Sequence, residues 1–177
     1  MIIKKQTWCF DIDGVLIDSR DIVKESYKKA GVDMPNEAWG HPWQSWLPNV
    51  AGSYYEAAQL HSKKTEIYVE LLKNDGTARK HALPFAGIAR ALERDPVTNV
   101  YYVTGASNDA AMSILKELGL NVQNLVGSSL TTNDRESILK KLDATGVYVD
   151  DRIEGQGPAL SAGWNFVWAK QDWSWKR

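Results

Sequence analysis

Cysteine is nearly missing from this 177-residue chain: Cys9 stands alone, inside an apolar run. No internal disulfide can form, which points to a reducing compartment. No apolar stretch approaches the roughly 18–20 residues that a bilayer span needs. The opening MIIKKQTWCF has neither a long apolar core nor a small-residue cleavage site of the kind a signal peptide carries. A cytoplasmic protein without membrane partners is the expectation. An excess of one charge is also lacking, with 21 Lys and Arg against 22 Asp and Glu and a formal net charge of -1. No bulk field therefore calls for long nucleic acid or an anionic bilayer, although a nucleic-acid strand end stays compatible. Histidine is scarce, and His41, His61 and His81 show no metal-ligand spacing, so they read as ordinary polar or partly buried side chains.

What the chain does contain is aromatic mass. Of its eight tryptophans, Trp39, Trp43 and Trp46 share one segment, and Trp164, Trp168, Trp173 and Trp175 crowd the C-terminus. Core filling is the ordinary use of such rings, and two small cores are expected.

The run Thr7-Trp8-Cys9-Phe10 is short, apolar and β-prone, and it stops at Asp11-Ile12-Asp13-Gly14. A buried strand feeding a loop has this pattern. Similar runs recur at Asn99–Val103, Gly146–Val149 and Asn165–Trp168, with a weaker one near Leu125-Val126. Helical periodicity falls between them over 86–94, 108–118 and 134–143, and Gly119 and Gly146 read as helix stops. Strands alternating with helices imply parallel pairing in a Rossmann-like, doubly wound α/β sheet. After the first strand a long interval breaks this rhythm, with helices expected near 20–30 and 53–74 around a Pro/Gly-punctuated stretch. The expected organisation is an α/β core of residues 1–18 and 81–177, with residues 19–80 inserted as a small helical cap.

Ligands of open parallel sheets bind at the carboxyl ends of the strands. Those ends carry Asp11-Ile12-Asp13, Thr104-Gly105-Ala106-Ser107 and Asp150-Asp151. Four carboxylates in one crevice repel one another, so some are protonated or a cation neutralises them. Hard oxygen donors in small number suit Mg²⁺, which keeps waters and substrate phosphate in its shell. Such a site has a natural reaction: one carboxylate attacks phosphorus, and a second protonates the leaving oxygen and later activates water. A hydroxyl and backbone N–H groups at a neighbouring strand end bind the phosphoryl oxygens.

The stretch Asp11-Ile12-Asp13-Gly14-Val15-Leu16-Ile17-Asp18-Ser19 resembles the first motif of haloacid dehalogenase-like hydrolases. Leu83-Pro84-Phe85-Ala86-Gly87 is similar to the segment with which members carrying this cap re-enter the core. Val103-Thr104-Gly105-Ala106-Ser107 resembles the second motif and Tyr148-Val149-Asp150-Asp151 the fourth. The resemblance implies a phosphatase with Asp11 as nucleophile and Asp13 as general acid/base. An aspartate at Asp13 implies phosphoryl transfer rather than dehalogenation. It implies Mg²⁺ held by Asp11, the Asp13 carbonyl and Asp151, with Asp150 in support, and phosphoryl oxygens bound by Thr104 and Gly105.

The third motif departs from the family pattern, because Arg135 stands where a lysine is expected. Arginine keeps the charge and binds phosphate bidentately, but is not an equivalent substitute. A surface pairing of Arg135 with Asp134 or Glu136, leaving Lys140 to supply the cation, is the alternative. The cap is expected to choose the substrate, a small phosphorylated metabolite. Asp150-Asp151-Arg152 resembles the fourth motif of deoxyribonucleotidases and of polynucleotide kinase-phosphatases, which leans toward a nucleotide. A phosphomutase, and a binding or regulatory protein that keeps the fold without turnover, are the competing readings.

Overall fold

The computed structural model describes residues 5–128, 134–142 and 145–169; Asn133, Trp173 and Trp175 lie outside them. The chain order is β1 (Gln6–Asp11), α1 (Arg20–Ala30), α2 (Leu47–Ala51), α3 (Tyr54–Lys73), α4 (Thr77–Lys80), α5 (Pro84–Glu93) and β2 (Thr98–Val103). It continues with α6 (Asn108–Glu117), β3 (Leu125–Gly127), α7 (Arg135–Lys141), β4 (Val147–Asp150), α8 (Gln156–Ser161) and β5 (Asn165–Trp168). The chain divides into two compact units, one running to Asp18 and resuming at Ala78, the other Ser19–Thr77. Among the described residues no helix is long and apolar enough to cross a membrane.

The expected doubly wound sheet is present. All five strands pair in parallel, in the order β3-β2-β1-β4-β5. The chain builds outward from β1 through β2 to β3, then returns to place β4 on the other side of β1. The order therefore reverses between β1 and β4, and the carboxyl ends of those two strands flank the crevice where such sheets bind ligands. A buried parallel sheet wants apolar runs rather than strict alternation, and Cys9, Phe10, Val103, Tyr148 and Val149 are all fully buried.

One face carries the cluster Cys9, Val103, Ile138, Leu139, Tyr148, Ala159 and Trp164, which joins α7 and α8 to the sheet. On the other, Phe10 stacks near Trp8 and meets Phe85 of α5 and Tyr102 of β2. Burying one such side chain stabilises by about 1.5–3 kcal/mol. Gly146 serves differently from the expectation. It does not stop a helix: α7 ends at Lys141. A Cβ on Gly146 would lie 2.3 Å from the Thr7 carbonyl oxygen, so the missing side chain lets β4 approach β1.

In the inserted unit, α1 and α2 pack on α3 around Tyr27, Val32, Leu47 and Ala57. Ser53 caps α3: its hydroxyl accepts from the Glu56 N–H at 3.1 Å and donates to the Glu56 carboxylate at 3.0 Å, which satisfies an otherwise orphaned donor. The aromatics mostly pack on one another. Trp46 meets Tyr27 edge-on at 5.1 Å, and Trp43 stacks on His61 at 4.9 Å. Tyr54, which packs on Trp43 at 5.3 Å, and Tyr55 nonetheless stand largely exposed. His61 also touches the Tyr27 hydroxyl, at 3.2 Å. Burial, helped by the Lys64 charge, holds its imidazole down to about 4.

Candidate active site

Register brings the acidic strand ends together. Cys9 pairs with Tyr148 and Phe10 with Val149 across β1 and β4, so the next step along both strands sets Asp11 beside Asp150. Side chains alternate along a strand, which puts Asp11 and Asp150 on the face that carries Cys9 and Tyr148. That face is the one covered by α7, and α7 begins at Arg135. Asp134 fixes this start as N-cap: its carboxylate accepts from the backbone N–H groups of Glu136 and Ser137 and from the Ser137 hydroxyl at 2.7 Å. Those bonds, the hydroxyl's first, hold Asp134 below its ordinary carboxylate value.

Arg135 reaches inward from that cap. Its Nη2 donates to Asp11 Oδ1 at 2.6 Å, and the two side chains are only 16% and 10% exposed. Screening that makes surface pairs weak does not apply at this depth. Lys140, by contrast, pairs with Glu136 on the exposed side of the helix. Arg135 Nε donates to the Tyr148 hydroxyl at 2.8 Å, and that hydroxyl donates to Asp150 Oδ2 at 2.6 Å. The other Asp150 oxygen accepts from the Arg152 backbone N–H at 2.9 Å; the Arg152 side chain is exposed.

Asp13 sits in the tight turn after β1, where the Gly14 N–H donates to the Ile17 carbonyl at 2.8 Å. Its carboxylate accepts from the Thr104 hydroxyl at 3.2 Å. Thr104 is fully buried at the end of β2, and its hydroxyl oxygen accepts in turn from the Ala106 N–H at 2.9 Å. Gly105, between them, is exposed, and nothing lies within 4 Å of where its Cβ would be. The Trp168 indole N–H donates to the Asp151 carbonyl at 3.0 Å.

Oxygens of Asp11, Asp150 and Asp151 lie within 4.8 Å of one another. The electrostatics follow from that crowding. Burial raises the Asp11 carboxyl well above its ordinary value; Arg135 works against the rise, and Asp150, Asp13 and Asp151 add to it. Asp151 is pushed up to about 7, by burial first and then by the Asp150 charge. Burial also opposes the charge of Arg135, but Asp11 and Tyr148 more than offset it and its pKa is raised. Three hard oxygen donors converging in one partly buried cluster suit a divalent cation such as Mg²⁺. The Asp13 carboxylate is not among the three; it faces Thr104.

Two contributors escaped the reading of the sequence. Tyr148 reads as one more apolar strand residue, and only its place two residues before Asp150 on an alternating strand hints at the same face. Gly14 was visible as a loop glycine, but not its pressure on Asp151: at φ +80°, a Cβ there would lie 2.2 Å from Asp151 Oδ2.

Solved structures share this architecture. The chain is similar to a haloacid dehalogenase hydrolase of family IA, variant 3, from Entamoeba histolytica, at 15% identity and TM-score 0.69, covering 94% of this chain and 86% of that one. It is similar to CbbY from Rhodobacter sphaeroides in complex with xylulose-(1,5)bisphosphate, at 14% identity and TM-score 0.70, with 92% and 84% covered. A β-phosphoglucomutase from Clostridium difficile matches at 17% identity and TM-score 0.62, over 94% and 84%. At these identities the likeness is one of fold, and the fold is that of the haloacid dehalogenase-like hydrolases. No protein-family model and no curated protein matches the sequence.

Proposed function

We propose that the chain is a Mg²⁺-dependent phosphomonoester hydrolase that works through an aspartyl-phosphate on Asp11. The observation that carries this reading is the 2.6 Å pairing of Arg135 with Asp11 inside a cluster of three carboxylates. A buried carboxylate held by one oxygen against a cation presents the other to an incoming group.

In the proposed reaction an Asp11 oxygen attacks phosphorus and the bond from phosphorus to the leaving oxygen breaks. Asp13 gives that oxygen its proton. In the second step Asp13 takes a proton from water as the water oxygen attacks the phosphoryl group, phosphate departs and the Asp11 carboxylate is restored. Thr104, whose hydroxyl reaches Asp13, the Gly105 N–H and Arg135 bind the phosphoryl oxygens. Asp11, the Asp13 carbonyl and Asp151 would hold Mg²⁺, with Asp150 in support because both its oxygens already accept hydrogen bonds from the chain. Bound there, the metal neutralises the repulsion between a carboxylate nucleophile and a phosphoryl dianion.

The substrate class we propose is a small phosphorylated metabolite. Nucleotides come first, on the resemblance of Asp150-Asp151-Arg152 to nucleotidase motifs and the exposure of the Arg152 side chain. The test is release of inorganic phosphate from 5′- and 3′-nucleotides and sugar phosphates, with Mg²⁺ and with EDTA. Release that needs Mg²⁺ and is strongest on one class is expected. An isomerised product without net release would replace the hydrolase reading with a mutase. Folded protein that releases nothing from any substrate would overturn it.

A further inference from the structure

Tyr148 has no part in the reaction written above, yet its ring is fully buried directly under the acidic cluster. We propose that Tyr148 is a positioning residue that locks the Arg135 guanidinium against Asp11 and ties that orientation to Asp150.

The hydrogen-bond inventory dictates the direction of the chain of bonds. Arginine only donates, and a phenol has one proton to give. The Tyr148 oxygen therefore accepts from Arg135 Nε at 2.8 Å, and its single proton goes to Asp150 Oδ2 at 2.6 Å. The guanidinium is a rigid planar fork. Pinning Nε at Tyr148 fixes where Nη2 points, and Nη2 is the atom that meets Asp11. A lysine at position 135 would have one nitrogen to serve both groups, with no donor at the Nε position and no planar fork to fix the angle between them. The alignment also depends on the sheet, since the pairing of Cys9 with Tyr148 sets the hydroxyl one layer below Asp11 and Asp150.

This inference rests on the hydrolase reading for its effect on rate, but not for the clamp itself, and the experiment separates the two. Tyr148→Phe keeps the ring and its packing. With Mg²⁺ and p-nitrophenyl phosphate, kcat should fall about tenfold (about 1.4 kcal/mol) with KM little changed, since the loss is in orienting the nucleophile. In an Arg135→Lys background, where no Nε–H exists to be clamped, the same Tyr148→Phe change should cost less than about twofold. A residue that only fills the core would show equal effects in both backgrounds, or none, and that result would overturn the proposal. The second readout needs no turnover. The Arg135 Nε–H proton, identified by its loss in Arg135→Lys, should exchange slowly in the parent and rapidly in Tyr148→Phe. If the parent hydrolyses nothing but this protection depends on Tyr148, the hydrolase reading fails and the clamp stands. If protection is the same in parent and Tyr148→Phe, the clamp is wrong whatever the activity.

Discussion

A Cβ on Gly14 would lie 2.2 Å from Oδ2 of Asp151, and Gly14 sits at φ +80°. Two residues in the loops that follow different strands are thus fitted to each other with no room for a methyl group. The left-handed backbone already favours glycine, and the carboxylate removes the remaining tolerance.

Gly14→Ala should therefore damage the site more than the fold. Strain of this kind costs about 1–3 kcal/mol, which lowers the urea midpoint without unfolding the protein. Displacing Asp151 should raise the Mg²⁺ concentration needed for half-maximal phosphate release by at least about tenfold. A variant with unchanged stability and an unchanged metal titration would show that Asp151 moves aside at no cost.

Asp11→Asn should abolish turnover, by about a thousandfold or more, because an amide is not a phosphoryl acceptor. Stability is a separate question, and the sign is decided by competing charges. The substitution removes the partner of Arg135, which is unfavourable. It also removes one of three crowded carboxyls whose burial raises its pKa. These oppose, so a Tm within a few degrees of the parent is expected, by calorimetry at pH 8 without divalent ions. Substantial residual release of phosphate would sink the covalent mechanism.

The fold was largely legible from the residues alone. Five apolar, β-prone runs separated by helical periods imply a parallel sheet, and the acidic runs end strands because apolar segments stop there. The weak Leu125-Val126 run is β3, and the sheet's edge position accounts for its brevity. Of the site, the strand-end residues could be named because a parallel sheet binds at its carboxyl edge. Tyr148 could not, because its role depends on which residue β1 sets opposite it. Gly146 was misread because a close approach to the Thr7 carbonyl leaves the same local trace as a helix stop.

The carboxylate cluster also implies a pH dependence of stability. Asp151 titrates near 7 in the folded chain against an ordinary 3.8, so between those values the folded state holds a proton that the unfolded chain has lost. Stability from this source is present below the unfolded value and declines as pH rises through about 7. His61 acts in the opposite sense. Its folded value near 4 lies below its ordinary 6.5, so it costs stability as pH falls below 6.5. Between pH 6.5 and pH 8.5 the loss from the cluster outweighs the smaller opposing gain as the half-protonated imidazole of unfolded His61 loses its charge. In EDTA, Tm should drop over that interval, and Mg²⁺ should raise Tm more at pH 8.5 than at 6.5. A Tm that rises with pH in EDTA, or that ignores Mg²⁺ at pH 8.5, would remove the cluster as a cation site.

Asp150 and Asp151 are neighbours with different surroundings, and that difference predicts which of them the metal needs. Both Asp150 oxygens are engaged, by the Tyr148 hydroxyl and the Arg152 N–H, and a Cβ on Gly155 would stand 2.7 Å from Asp150 Oδ2. That carboxylate is held in place by its neighbours. Asp151 carries the raised pKa near 7, the mark of a carboxylate whose charge is poorly compensated by the chain itself. Asp151→Asn should therefore raise the Mg²⁺ requirement by about 10–100-fold and lessen the loss of Tm between pH 6.5 and 8.5 in EDTA, leaving Asp11 to carry the rest. Asp150→Asn should instead lower kcat through Tyr148 and Arg135, with a smaller change in the metal titration. If Asp151→Asn leaves that titration where it was and Asp150→Asn shifts it, the ligand role passes to Asp150, and the hydrogen bonds from Tyr148 and Arg152 become what aims Asp150 at the metal.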